Sequence, residues 1–119
     1  MTPIIQSVSV VVPTYREAAN IESLTKRLFE TTRKLRDLDV EILIVDDDSG
    51  EETRRSVQIV DKLKNEGYNV KIRVRRKNEG RGLSSAVLLG LKASTRDFLV
   101  VMDADLQHEV SMIINRCNP

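Results

Sequence analysis

Val8-Ser9-Val10-Val11-Val12-Pro13-Thr14-Tyr15-Arg16-Glu17 is the segment that selects the fold. It opens with a short β-branched run that Pro13 stops, the mark of a strand buried on both faces. The residues after Pro13 are polar rather than glycine-rich. A nicotinamide enzyme would carry its glycine fingerprint at this position. The chain has no Gly-Lys-Ser/Thr either, which excludes a P-loop nucleotidase.

Beyond this segment, residues 17–38 place Ile21, Leu24, Leu28, Leu35 and Leu38 at mostly three- and four-residue steps, predicting an amphipathic helix. Ile42-Leu43-Ile44-Val45 predicts a second buried strand, ended by Asp46-Asp47-Asp48. Val57, Val60 and Leu63 mark a second helix, closed near Asn65-Glu66-Gly67 by a glycine cap. Val70-Lys71-Ile72-Arg73-Val74-Arg75 alternates strictly, so one face is wet: an edge strand guarded by charge. On that reading Arg73, Arg75, Arg76 and Lys77 are the wet face and end of the strand. Residues 84–93 form a third helix entered through Gly80-Arg81-Gly82. Phe98-Leu99-Val100-Val101-Met102 is apolar throughout and therefore central. Met112-Ile113-Ile114 begins a further helix, and no strand is left to cover the outer side of the fourth.

The order βαβαβαβ implies an α/β fold with a parallel sheet and helices on both faces. Right-handed crossovers and an edge position for the third strand give the order 3-2-1-4. The chain direction reverses between strands 1 and 4, and ligands of such Rossmann-like sheets bind at the carboxyl ends near that switch.

Composition sets bounds on function. A chain of 119 residues is one domain. Nineteen basic against 18 acidic side chains leave a net charge of +1, so phosphate neutralisation of a nucleic acid is not its business. Aromatics are 3% and Trp is absent, which removes stacking platforms for single strands. Cys117 is the only cysteine, so neither a disulfide framework nor a cysteine-rich zinc site exists. No apolar run approaches the ~18–20 residues of a membrane span. Residues 1–6 lack the pattern of a signal peptide, so the expected setting is reducing and cytosolic.

Three polar clusters come after strands 1, 2 and 4 at one end of the sheet. They are residues 13–17, Asp46-Asp47-Asp48-Ser49, and Asp103-Ala104-Asp105-Leu106-Gln107-His108. Asp103 and Asp105, one residue apart after a central strand, can turn to a single hard cation such as Mg2+ or Mn2+, with Gln107 and His108 as further ligands. In the Asp46–Asp48 run some members serve only as helix caps. Three adjacent aspartates repel unless cations or hydrogen-bond donors compensate. A nucleoside supplies donors, and Asp47 is the member expected to meet them. Tyr15, one of four aromatics, sits where it can stack on a base or simply pack locally. Arg81 and the backbone of residues 80–86 can meet an anion at a helix start or form an ordinary turn.

Residues 11–21 (Val-Val-Pro-Thr-Tyr-Arg-Glu-Ala-Ala-Asn-Ile), 44–49 (Ile-Val-Asp-Asp-Asp-Ser), 82–87 (Gly-Leu-Ser-Ser-Ala-Val) and 101–108 (Val-Met-Asp-Ala-Asp-Leu-Gln-His) together resemble family 2 glycosyltransferases of the GT-A fold, and among them those that act on dolichyl phosphate. The resemblance implies an enzyme that transfers mannose from GDP-mannose to dolichyl phosphate with inversion, using Mg2+ or Mn2+. It implies nucleotide-sugar contacts at Pro13, Tyr15, Glu17, Val45, Asp47, Asp103, Ala104 and Asp105. It implies metal ligands at Asp103, Asp105 and Gln107, with Asp105 catalytic. It further implies small membrane-anchoring subunits as partners and a peripheral position on the cytosolic face of the endoplasmic reticulum. Two other readings stay open: a non-catalytic nucleotide-binding fragment, and a family 2 transferase using UDP-glucose and a polyprenyl phosphate. The pattern departs in three places. Arg16 stands where the family has Asn, Glu replaces an Asp between Ser49 and Thr53, and Glu109-Val110-Ser111 replaces Pro-Pro-Glu. Residues 1–119 are thus expected to form one domain, incomplete on its C-terminal side, with the donor half present and the acceptor half lacking.

Overall fold

The computed structural model describes residues 6–33, 38–47, 50–75, 83–93, 96–102 and 112–115. The elements run β1 (Gln6–Thr14), α1 (Ala18–Thr32), β2 (Leu38–Asp47), α2 (Glu51–Asn65), β3 (Val70–Arg75), α3 (Leu83–Ala93), β4 (Phe98–Val101) and β5 (Met112–Asn115). The sheet order is β3-β2-β1-β4-β5. The first four strands pair in parallel in the order expected, with β3 at one edge.

Strand alternation sends successive side chains to opposite faces, so the valine run of β1 feeds two cores. Val10 and Val12 join Ile42, Ile44 and Val70 against Ile21 and Leu24 of α1 and Val60 and Leu63 of α2. Val11 joins Leu43, Val45, Leu99 and Val101 against Val87, Leu89 and Leu91 of α3. Helices α1 and α2 share one face because the chain moves outward from β1 to β3. Helix α3 carries it back to β4 across the other face, as right-handed crossovers require. Helix α3 approaches closely at Gly90, where a Cβ would stand 2.7 Å from Val11 Cγ2 and 3.3 Å from Leu99 Cδ1.

Helix α2 closes as its sequence predicts. Gly67 takes φ +101°. Its N–H donates to the Lys64 carbonyl at 3.0 Å, and the Tyr68 N–H donates to the Leu63 carbonyl at 3.0 Å. These two bonds satisfy carbonyls that the helix end would leave orphaned. The Tyr68 ring then lies 5.5 Å from Phe29, pinning α2 to α1.

The structure differs from expectation in three places. Helix α1 stops at Thr32, and Leu38 instead opens β2, where it pairs with Gln6; Leu35 lies outside the described residues. Strand β2 is longer than its apolar run: Asp46 and Asp47 are its last two residues, not a loop after it. The Met112-Ile113-Ile114 patch is a strand rather than the start of a helix. It pairs antiparallel with β4, Val101 opposite Met112 and Phe98 opposite Asn115. Adjacent β-branched isoleucines favour extended backbone. Pairing also gives the open edge of β4 partners for its backbone groups, so the fourth strand does have an outer neighbour.

Candidate nucleotide site

The carboxyl ends of β1, β2 and β3 are joined by side chains that face each other across the sheet. Thr14 and Asp46 are register partners. The Thr14 hydroxyl donates to Asp46 Oδ1 at 2.7 Å, and the Thr53 hydroxyl of α2 donates to Oδ2 at 2.6 Å. Asp46 is 1% exposed, with a donor on each oxygen. Its charge also lies near the first turn of α2, where a helix favours an anion. Asp46 is therefore a structural tie between the end of β1 and the start of α2.

Asp47 points to the opposite face, as its neighbouring position on a strand demands. Its register partner is Arg75, the last residue of β3. Arg75 Nη2 lies 2.6 Å from Asp47 Oδ1, and Arg75 Nη1 donates to the Ser85 hydroxyl in the first turn of α3. The Arg75 side chain is 1% exposed and that of Asp47 is 13%. Arg75 is thus buried, which corrects its expected place on the wet face. Lys71 and Arg73 of the same strand are exposed, as the alternation predicted. The structure also meets the demand that adjacent aspartates be compensated: hydroxyls serve Asp46 and a guanidinium serves Asp47.

The loop after β1 is fixed by acidic side chains. Pro13 is half-buried beside its register partner Val45, which is buried. Glu17 caps α1 in sequence but not by its side chain: its Oε1 accepts the Tyr15 N–H at 3.2 Å. Glu52 of α2 does the capping instead, accepting the Ala18 N–H at 3.2 Å. Tyr15 is 45% exposed just past the carboxyl end of β1, with the Arg16 guanidinium 5.3 Å from its ring centre. Arg16 takes φ +54°, a backbone region where Asn is at home and Arg is strained.

Asp48, Ser49, Gly80, Arg81, Gly82, Asp103, Ala104, Asp105, Gln107, His108 and Cys117 lie outside the described residues. The Met102 N–H donates to the Val11 carbonyl at 3.2 Å, extending the β4 ladder one residue past Val101. Among the described residues no group of three or more metal-binding side chains comes together. A groove of about 590 Å3 opens at the opposite end of the sheet between α1, Leu38, Val40 and Tyr68, away from this chemistry.

Sequence reasoning gave no individual role to Thr14, Glu52, Thr53 or Ser85, and it placed Arg75 on the wet face. Arg75 carried a usable signal: it closes a strand next to one that ends in consecutive acids.

The family model described as "Glycosyl transferase family 2" matches residues 9–114. The chain is 50% identical over 100 residues to the dolichol-phosphate mannosyltransferase of Saccharomyces cerevisiae, covering 84% of this chain and 36% of that protein. It is 44% identical over 106 residues to the enzyme of the same name from Pyrococcus furiosus, covering 89% and 28%. Among solved structures it resembles a mannosyltransferase from Pyrobaculum calidifontis in complex with GDP-Man and Mn2+. That match has a TM-score of 0.62 and 28% identity, covering 82% of this chain and 27% of that one. The chain therefore spans about a third or less of the length of these relatives.

Proposed function

The chain belongs to glycosyl transferase family 2, and from that premise we propose that it carries the donor-binding part of an inverting mannosyltransferase acting from GDP-mannose to dolichyl phosphate. The observation that carries the reading is positional. Tyr15 and Glu17 follow β1 and Asp47 ends β2, its parallel neighbour, in a chain 50% identical over 100 residues to a dolichol-phosphate mannosyltransferase.

In this reading Pro13, Tyr15, Glu17, Val45 and Asp47 hold the nucleoside. The Tyr15 ring offers an apolar face to the base, and the Asp47 carboxylate accepts from base N–H groups. Asp103, Ala104 and Asp105 meet the diphosphate, and Asp105 is the catalytic residue. Asp103, Asp105 and Gln107 supply hard oxygen donors that suit Mg2+ or Mn2+. When bound, such a cation neutralises the diphosphate and makes GDP a competent leaving group. An acceptor phosphate oxygen attacks the anomeric carbon as the bond to the diphosphate oxygen breaks, with inversion. The acceptor is already anionic, so the protein's work is positioning and electrostatic support rather than deprotonation.

The lipid acceptor would bring the protein to the cytosolic face of the endoplasmic reticulum, with small membrane-anchoring subunits as partners. Among the described residues no helix is long and apolar enough to cross a membrane.

Calorimetric titration of GDP into the chain tests the reading, with Mn2+, then with EDTA, and with UDP as control. Metal-dependent uptake that prefers GDP is the expected result. Equal affinity with and without metal, or preference for UDP, overturns it.

A further inference from the structure

Arg75 is a buried cation that the proposed reaction does not use. Removing a guanidinium from water costs several kcal/mol unless a well-placed partner offsets it. Here the partner is Asp47, set opposite Arg75 by strand register rather than by a flexible loop. The contact is one-sided: Asp47 Oδ1 is buried 2.6 Å from Arg75 Nη2, an ion pair without hydrogen-bond alignment, while 13% of the Asp47 side chain stays exposed. Arg75 is held in turn by Ser85, from the first turn of α3. Strands β2 and β3 and helix α3 thus meet in one chain of contacts, Ser85 to Arg75 to Asp47.

We propose that Arg75 is a positioning residue for nucleoside recognition: it locks the Asp47 carboxylate in one rotamer, buries one oxygen, and leaves the other for a base that presents ring N–H donors. Ser85 fixes the guanidinium that does this. The inference rests on the reading that Asp47 meets the base. A freely rotating carboxylate would lose rotamer entropy on each binding event, and Arg75 removes that cost in advance. Planarity matters as well as charge, because lysine cannot reproduce the guanidinium's fork.

The test is a double-mutant cycle on the full chain, read by calorimetric titration of GDP with Mn2+, with thermal unfolding as the check on folding. Arg75→Met is expected to weaken GDP binding about tenfold in the native background and by less than about twofold when Asp47 is already Asn. Arg75→Lys is expected to recover part of the loss. A similar loss in both backgrounds, or unchanged affinity in a folded Arg75→Met chain, overturns the proposal. If Arg75→Met does not fold, Ser85→Ala carries the test. A loss of a few fold that vanishes in the Asp47→Asn background supports the relay, and no loss overturns it. Failure of the parent reading looks different: the native chain takes up no GDP, or Asp47→Asn alone leaves affinity unchanged, and the role of Arg75 falls with it.

Discussion

Thr14 and Asp46 stand opposite each other at the last paired position of β1 and β2, and the Thr14 hydroxyl donates to Asp46 Oδ1 at 2.7 Å. With Thr53 on the other oxygen, a buried carboxylate joins two strand ends and a helix start. Hydrogen bonds to a charged, buried acceptor contribute about 1.5–3 kcal/mol each. Thr53→Val is therefore expected to lower stability by about that amount, since it strips one oxygen of its donor. Denaturant unfolding measures it; an unchanged midpoint would show that the tie carries no weight.

Gly90→Ala is expected to destabilise the chain although alanine is the better helix former by about 1 kcal/mol. The new methyl would meet Val11 Cγ2 at 2.7 Å, and a buried valine has no room to turn away. Overpacking of this kind costs about 1–3 kcal/mol. The net effect is a lower thermal midpoint, and a rise would mean that α3 can lift off the sheet without cost.

Arg16→Asn is expected to stabilise. The position takes φ +54°, and a left-handed backbone costs an ordinary L-residue about 1–2 kcal/mol that asparagine largely avoids. The loss of the exposed Arg16–Tyr15 contact subtracts some of this gain. Paired denaturation curves decide the sign, and a destabilised variant would show the cation–π contact to be the stronger term.

Asp105→Ala is expected to abolish the metal dependence of GDP binding while leaving the cooperative unfolding transition in place. Titrations with Mn2+ and with EDTA should then coincide. A variant that still binds GDP better with Mn2+ would remove Asp105 from the metal site.

Glu22 bridges α1 and α2, and hydrogen bonds from Lys26 and Lys62 hold its carboxyl below the ordinary carboxylate range. A depressed carboxyl contributes stability above its unfolded pKa and loses it as pH falls through the folded one. Glu22→Gln should therefore lower stability slightly at neutral pH and not at all in strong acid. The group is exposed, so the difference should shrink further in high salt. A difference that persists at low pH would point to packing rather than charge.

The fold was largely legible because its signals are local. Runs such as Val10-Val11-Val12 and Ile42-Leu43-Ile44-Val45 report burial on both faces, and the strict alternation of β3 reports an edge. Right-handed crossovers then leave one economical order for four strands. The misreadings lie where local signals conflict with pairing. Leu38 continued a helical spacing yet is claimed by the ladder to Gln6, and the Met112 patch was too short to declare itself without β4 beside it.

The candidate site was legible in part. Residue type and position at the strand ends single out Tyr15, Glu17 and Asp47 as candidates. The different contacts of the two aspartates were not legible. Asp46 and Asp47 are adjacent and chemically identical, and alternation along β2 sends one to the hydroxyls of Thr14 and Thr53 and the other to Arg75. That assignment depends on register between strands far apart in the chain.

Residue order alone settles the apolar periodicities, the parallel α/β plan and the polar clusters at the strand ends, because these rest on neighbours within a few positions. Which acid is tied to hydroxyls and which to a guanidinium, why Arg75 is buried, and what closes the edge of β4 depend on long-range pairing. Their energies come from partners at the ends of other strands and helices, and those partners meet only once the sheet has formed.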